Sequence, residues 1–251
     1  MIKRLLRPVL AASLALVFVA PAAHAIVGGA EDAGLLSRAS VMVLSSKGGV
    51  CSAVVVAPDV VLTAAHCVTG ADEHRVHFRD GAGEPILIVP AAKAVHPGYD
   101  AKAIEKRTRS IDLALVRLPE PLPARFETAT LDPARPAKGD PVTVAGYGLA
   151  RDGDAKTTGT FRAADLTVIE PYGPSQILLW VQGKGAAGAC QGDSGGPMTA
   201  GDTVVAITSW SAGTKASRCG GITQGILLGA QRSWIDRVVA GWQRAAQWSG
   251  N

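Results

Sequence analysis

Three short segments of this chain hold residue types that could together break an acyl bond. His66 lies in TAAHC (63–67), Asp112 opens DLAL (112–115) and Ser194 lies in GDSGGP (192–197). A serine hydroxyl becomes a useful nucleophile when a neighbouring imidazole can take its proton. A carboxylate must hold that imidazole in the right tautomer. The tetrahedral intermediate then needs preorganised N–H donors for its oxyanion. The backbone N–H groups of Gly192 and Ser194 can supply them, because glycine lets a tight turn aim its donors at a ligand. Taken singly, a His after a strand, an Asp before an apolar run and a glycine-rich turn are ordinary. Combined in the chain order His, Asp, Ser, they are specific for nucleophilic hydrolysis.

Such a site needs a scaffold, and the surrounding sequence is mostly of β type. Short apolar runs recur at 41–44, 53–56, 60–62, 86–89, 113–116, 142–145, 166–169, 177–181 and 204–208, with Gly, Pro and Asp between them. Many short strands at such spacing predict an all-β barrel or sandwich. A helix is expected only from Ser233 onward. There Trp234, Val238, Trp242, Ala245 and Trp248 recur at spacings of three and four, and Ser233 with Asp236 forms an S-x-x-D capping pattern. The proline-rich stretch 118–141 reads as a linker crossing between two similar β units.

The chain opens with Lys3, Arg4 and Arg7, an apolar run from Val9 to Ala20, and the small-x-small triplet Ala23-His24-Ala25. That order is a secretory signal peptide over 1–25. The apolar run falls short of the roughly 20 residues that a membrane-spanning helix needs. Cutting after Ala25 removes three cations and no acid, which takes the formal charge from +4 to +1. The basic balance therefore belongs to the leader and gives no sign of nucleic-acid or membrane binding.

Four cysteines remain: Cys51, Cys67, Cys190 and Cys219. In an exported chain an even count reads as disulfides. Spacing alone leaves all three pairings open, with two local loops the economical choice. His66, His74 and His77 near Cys51 and Cys67 raise the idea of a metal site. C-x-x-C and H-E-x-x-H are absent, so no metal is expected. Asp72, Glu73, Asp80 and Glu84 form no convincing calcium cluster.

IVGG (26–29), HPGYD (96–100), GYG (146–148) and SW (209–210) fall in order with TAAHC, DLAL and GDSGGP. Together they resemble the trypsin/chymotrypsin-like serine proteases, of the bacterial secreted type, across nearly all of 26–251. The resemblance implies an all-β fold of two antiparallel six-stranded β-barrels with a C-terminal α-helix. The N-terminal barrel, 26–131, would carry His66 and Asp112; the C-terminal barrel, 132–251, would carry Ser194. It implies the disulfides Cys51–Cys67 and Cys190–Cys219. It also implies that Ser194 is the nucleophile, His66 the general base and then acid, and Asp112 its orienting carboxylate. Gly192 and Ser194 would form the oxyanion hole, and no cofactor is implied. Ser209 matches the family serine beside the buried Asp, and 209–211 would pair with the substrate backbone as an added strand. The family's activation switch would pair a new N-terminal ammonium at Ile26 with Asp193. Ile26 directly follows Ala25, so signal cleavage alone would create that terminus. A cut after Ala22 would instead leave three residues to trim.

Trypsin-like members hold Lys or Arg through an Asp six residues before the nucleophile. Here Gly188 stands at that position, followed by Ala189. The basic run EKRTR (105–109), in a loop longer than is usual for the family, fits an enzyme that spares Lys and Arg, and otherwise reads as a solvated loop. Thr208, Ser209, Trp210 and Ser211 stand around the rest of the pocket. The opposite wall is Thr223 or Gly225, depending on register. Ser211 with Thr223 would suit small or medium apolar residues, whereas Gly225 would admit aromatics. Lys215 and Arg218 could draw acidic substrates, but Thr208 stands where glutamate-specific relatives tend to carry a His. The expectation is a monomer, extracellular or periplasmic, that cuts proteins or peptides after small or medium apolar residues. A catalytically silent binding protein is the rival, and the intact triad speaks against it. A quality-control protease with an added peptide-binding domain is a third reading, and the chain length leaves no room for that domain.

Overall fold

The computed structural model describes residues 26–250, apart from 33, 107, 215 and 216. The expected signal peptide and Lys215 lie outside the described residues. In chain order the strands are β1 (Ala30–Glu31), β2 (Ser40–Ser45), β3 (Val50–Ala57), β4 (Val60–Thr63), β5 (His74–Arg79), β6 (Pro85–Ile88), β7 (Ala92–Val95) and β8 (Ala114–Arg117). They continue with β9 (Thr130–Leu131), β10 (Pro141–Gly146), β11 (Arg162–Ile169), β12 (Leu178–Gln182), β13 (Pro197–Ala200), β14 (Thr203–Ala212), β15 (Ile222–Leu227) and β16 (Gln247–Trp248). Among the described residues three α-helices accompany them: α1 (Leu35–Arg38), α2 (Ala103–Lys106) and α3 (Arg232–Gly241).

The strands divide into two sheets. The N-terminal one has the order β6-β5-β2-β3-β4-β8-β7. In the C-terminal one β13-β10-β11-β12-β15-β14 closes into a six-stranded barrel, because β14 pairs back to β13. The short strand β9 runs parallel to both β14 and β16 on that barrel. β1 pairs with β11, with Ala30 opposite Ala163, so the first described strand belongs to the second sheet.

The nearly unbroken apolar run of β3 follows from burial on both faces. Alternate side chains of a strand point opposite ways. Ala53 and Val55 therefore enter the interior of the N-terminal sheet, with Val41, Val61 and Val76. Val54 and Val56 enter a second core, shared with Leu62, Leu113, Leu115, Ile207, Ile226 and Leu228. α3 seals this shared core with Trp234, Ile235 and Val239. The two sheets are thus joined by a common apolar layer, along which the site is laid out.

The end of the chain departs from the expected long helix. α3 stops at Gly241, and Gln243 then takes a positive φ of 61°. Trp248 lies in β16, not on the helix. Ser233 is not the cap: Gln231 is, without a side-chain bond, while Asp236 accepts from Trp248 Nε1 at 2.8 Å. The proline-rich crossing is not loose either, since Leu118, Leu122, Ala129 and Leu131 are buried. Cys51 pairs with Cys67, and Cys190 with Cys219.

Candidate active site

The site is built from the chain ends of strands. After β4 the chain turns through one 3-10 turn, Ala65–Cys67, whose flanking residues Ala65 and Cys67 are buried. The disulfide to Cys51 anchors this turn to β3. His66 projects from it with 38% of its side chain exposed, while the Asp112 side chain, just before β8, is only 10% exposed. Asp112 Oδ2 lies 2.7 Å from His66 Nδ1, and Oδ1 accepts the His66 backbone N–H at 2.9 Å. Ser209 Oγ donates to Oδ2 at 2.6 Å. Burial pushes the Asp112 carboxyl upward, but the hydrogen bond and charge of His66, with the Ser209 bond, more than offset it and hold the group below its usual range. With Nδ1 engaged by the carboxylate, Nε2 is the ring nitrogen left for a reacting hydroxyl.

Ser194 stands in the turn between Cys190 and β13. That turn is held almost wholly by backbone. Asp193 N–H donates to Cys190 O at 3.1 Å, Gly196 N–H to Asp193 O at 2.9 Å and Gly195 N–H to Thr208 O at 2.7 Å. Gly192 and Gly195 have φ of 101° and 83°. A Cβ on Gly195 would meet Ser52 O and Thr63 Oγ1 at 2.1 Å, so glycine is obligatory there. Asp193 is fully buried. Its carboxylate accepts from Cys190 N at 2.9 Å and from Gly148 N at 2.8 Å. Burial pushes its pKa up to about 7, with those two bonds and the Arg162 guanidinium pulling the other way. Ile26 is also buried, and the next residue, Val27, exchanges backbone hydrogen bonds of 3.0 Å with Gly188.

These pieces open onto one cleft of about 920 Å³, whose lining includes His66, Asp112, Ser194, Ser209, Trp210 and Ser211. The family model for trypsin matches residues 26–235. The chain belongs to the trypsin family. Over 204 residues this protease is 31% identical to the trypsin of Saccharopolyspora erythraea, across 75% of this chain and 87% of that protein. It is 29% identical over 196 residues to trypsin alpha-4 of Lucilia cuprina, across 70% and 72% of the two chains. Mouse neuropsin, a serine protease expressed in the limbic system, has the same fold: TM-score 0.72, 23% identity, 85% of this chain and 99% of its own. The kinship makes the protein a serine endopeptidase whose substrates are proteins or peptides.

Not every residue expected in the protease's specificity pocket reaches the cleft. Gly188, Ala189, Thr208, Thr223 and Gly225 are buried and stand outside its lining. Thr223 Oγ1 accepts from Ala189 N at 2.9 Å and would lie 3.1 Å from a Cβ on Gly188. Gly225 backs onto the core, where a Cβ would meet Met198 Sδ at 2.2 Å. In register, Thr223 stands opposite Ser211, and Gly225 opposite Thr208. Arg218 is committed to Asp152, which accepts its backbone N–H at 2.7 Å and its guanidinium at 3.1 Å.

The protease's cleft also holds residues that motif reading missed, among them Tyr99, Arg109, Tyr172 and Trp180. Tyr99 lies inside HPGYD and Arg109 inside the basic loop, so the signals were present without a role attached. Cys51, His66 and Cys67 lie close enough to share a metal, but both sulfurs are spent in the disulfide and offer no thiolate.

Proposed function

We propose that this endopeptidase is exported, loses residues 1–25, and hydrolyses peptide bonds as a monomer outside the cytoplasm, through Ser194, His66 and Asp112. The observation that carries this reading is the three-fold grip on Asp112. One carboxylate holds the His66 ring and backbone and the Ser209 hydroxyl, in the cleft that Ser194 lines. His66 Nε2 takes the proton of Ser194 Oγ as that oxygen bonds to the scissile carbonyl carbon. The carbonyl oxygen becomes an oxyanion and receives the N–H groups of Gly192 and Ser194; one such donor contributes about 3 kcal/mol to the transition state. His66 then gives its proton to the departing amine, the C–N bond breaks, and Ser194 is left as an ester. Water, deprotonated by the same imidazole, cleaves the ester and restores the serine. Asp112 stays ionised throughout and stabilises the imidazolium.

Cleavage falls after small or medium apolar residues. Support comes from Ser211 in the cleft lining and from the lack of a carboxylate at Gly188. Activation couples the Ile26 ammonium, freed by cleavage after Ala25, to Asp193. A fully buried carboxylate with two N–H donors is short of a countercharge, and that supports the coupling. The two sheets support a division into the halves 26–131 and 132–251, save for β1 and β9, which both join the C-terminal sheet.

A digest of a diverse peptide library by protein beginning at Ile26, read by mass spectrometry beside Ser194→Ala, tests the reading. Cuts by the intact protein alone, after Ala, Val, Thr or Leu, are expected. Cuts surviving in Ser194→Ala would refute the nucleophile, and cuts after Lys, Arg or Phe would refute the pocket.

A further inference from the structure

We infer that Ser52 is a positioning residue for the oxyanion loop, acting from the opposite sheet. The inference rests on the reading that Gly192 and Ser194 supply the oxyanion donors. Ser52 lies in β3, is fully buried, and uses all of its polar groups. Its Oγ donates to Gly192 O at 2.9 Å and accepts from Tyr147 N–H at 2.9 Å. Its N–H donates to Ser194 O at 2.8 Å. Its carbonyl accepts from Thr63 Oγ1 at 2.8 Å, three residues before His66.

The order of the peptide units gives this arrangement its meaning. The oxyanion donors are the N–H groups of units 191–192 and 193–194. The carbonyls that Ser52 grips belong to units 192–193 and 194–195. Gripped and donating units therefore alternate along the loop. Two planar units tied to one residue leave the unit between them little freedom to rotate. The spacing and aim of both donors are thereby referred to a single side chain and backbone of the N-terminal sheet. That sheet also carries His66, so Ser52 keeps the donors in register with the base. Gly192, at φ 101°, is itself free to swing without such a tie. Removing the hydroxyl would leave a buried carbonyl and the Tyr147 N–H unpaired, and the loop would turn to repair them.

Ser52→Ala and Ser52→Thr test this, each purified as the chain beginning at Ile26, with active sites counted by burst titration. For Ser52→Ala, kcat falls about tenfold while KM holds, less than the 10²–10³ lost when a donor is removed outright. Affinity for a peptidyl boronate, which mimics the tetrahedral state, falls by the same factor, and affinity for a product peptide does not. Ser52→Thr keeps the hydroxyl and recovers most of the loss. An unchanged kcat, or equal loss of boronate and product binding, overturns the inference. Amide hydrogen exchange gives a reading independent of turnover: the Tyr147 N–H exchanges faster in Ser52→Ala, and unchanged exchange overturns the inference even if Ser52→Thr fails to fold. If the wild-type chain neither turns over nor reacts with a serine-directed phosphonate, the proposed function fails, and the Tyr147 amide still decides whether Ser52 holds the loop.

Discussion

The two halves of the molecule hold their shares of the site by different physical means. In the N-terminal sheet, His66 and Asp112 are fixed chiefly by bonds that side chains make, on an ordinary 3-10 turn and a strand end. In the C-terminal barrel, Ser194 is fixed chiefly by the backbone bonds of its own turn, on glycines with positive φ stacked over a buried carboxylate and tied across to Ser52. A disulfide staples each arrangement next to its functional residue, at Cys67 and at Cys190. Bonds of the first kind can be deleted one at a time. The second kind is a packed unit that holds or fails together.

Chemistry gives the widest test of that contrast. Ser194→Ala and His66→Ala should each lower kcat by at least about 10⁴-fold, and Asp112→Asn by about 10⁴-fold, as is general for this triad. Thermal midpoints should stay near wild type, because each change alters a side chain without moving backbone. Calorimetry beside initial rates checks both, and collapse of the fold in Asp112→Asn would erase the distinction.

Backbone substitutions come next. Gly195→Ala forces a Cβ into Ser52 O and Thr63 Oγ1 at a left-handed φ, and should lose more than about 4 kcal/mol in urea unfolding. Ala65→Gly, in the His66 turn, should lose only about 1 kcal/mol. Equal losses would contradict the comparison.

The buried carboxylate separates the processed chain from one still carrying residues before Ile26. Without the free ammonium, Asp193 binds its proton up to about pH 7, against about 3.9 when unfolded. The folded state then holds the extra proton between those values, so stability falls as pH rises from about 4 to about 7, by roughly 3–4 kcal/mol. The ammonium of a chain beginning at Ile26 favours the ionised form and should flatten that decline. Urea midpoints at pH 5 and pH 8 for chains starting at Ile26 and at Ala23 measure it, and parallel curves would remove Asp193 from activation.

The smallest effect belongs to the other half. Burial, and then Lys93, whose Nζ lies 3.3 Å from Nδ1, lower the pKa of His74. Its neutral form is favoured on folding, so stability present above about pH 6.5 drains as pH falls below it. His74→Gln should lessen that acid sensitivity in the same urea series.

Much of this was legible from local strings. TAAHC, DLAL and GDSGGP each compress a role into a few residues, and nine apolar runs landed on strands. β5 escaped because its core face is His74, Val76 and Phe78, with Arg75, His77 and Arg79 between them, a pattern that reads as polar. The wall opposite Ser211 was ambiguous because strand register depends on a bulge between Thr208 and Trp210, which spacing along the chain does not carry. Ser52 was invisible for a related reason: its Oγ partners lie 140 and 95 residues away, in the other half. The helix was overextended because an aromatic stripe at helical spacing continued past Gly241 into residues that β9 recruits.

The barrel that holds Ser194 borrows β1 from the front of the described chain and β16 from its far end. During synthesis β1 must wait, unpaired, for more than 130 residues until Ala163 arrives opposite Ala30. The six-stranded barrel around Ser194 closes only once β15 has been made. A half-made chain therefore carries no working blade among its equally half-made neighbours, and proteolytic competence waits until β15 is in place.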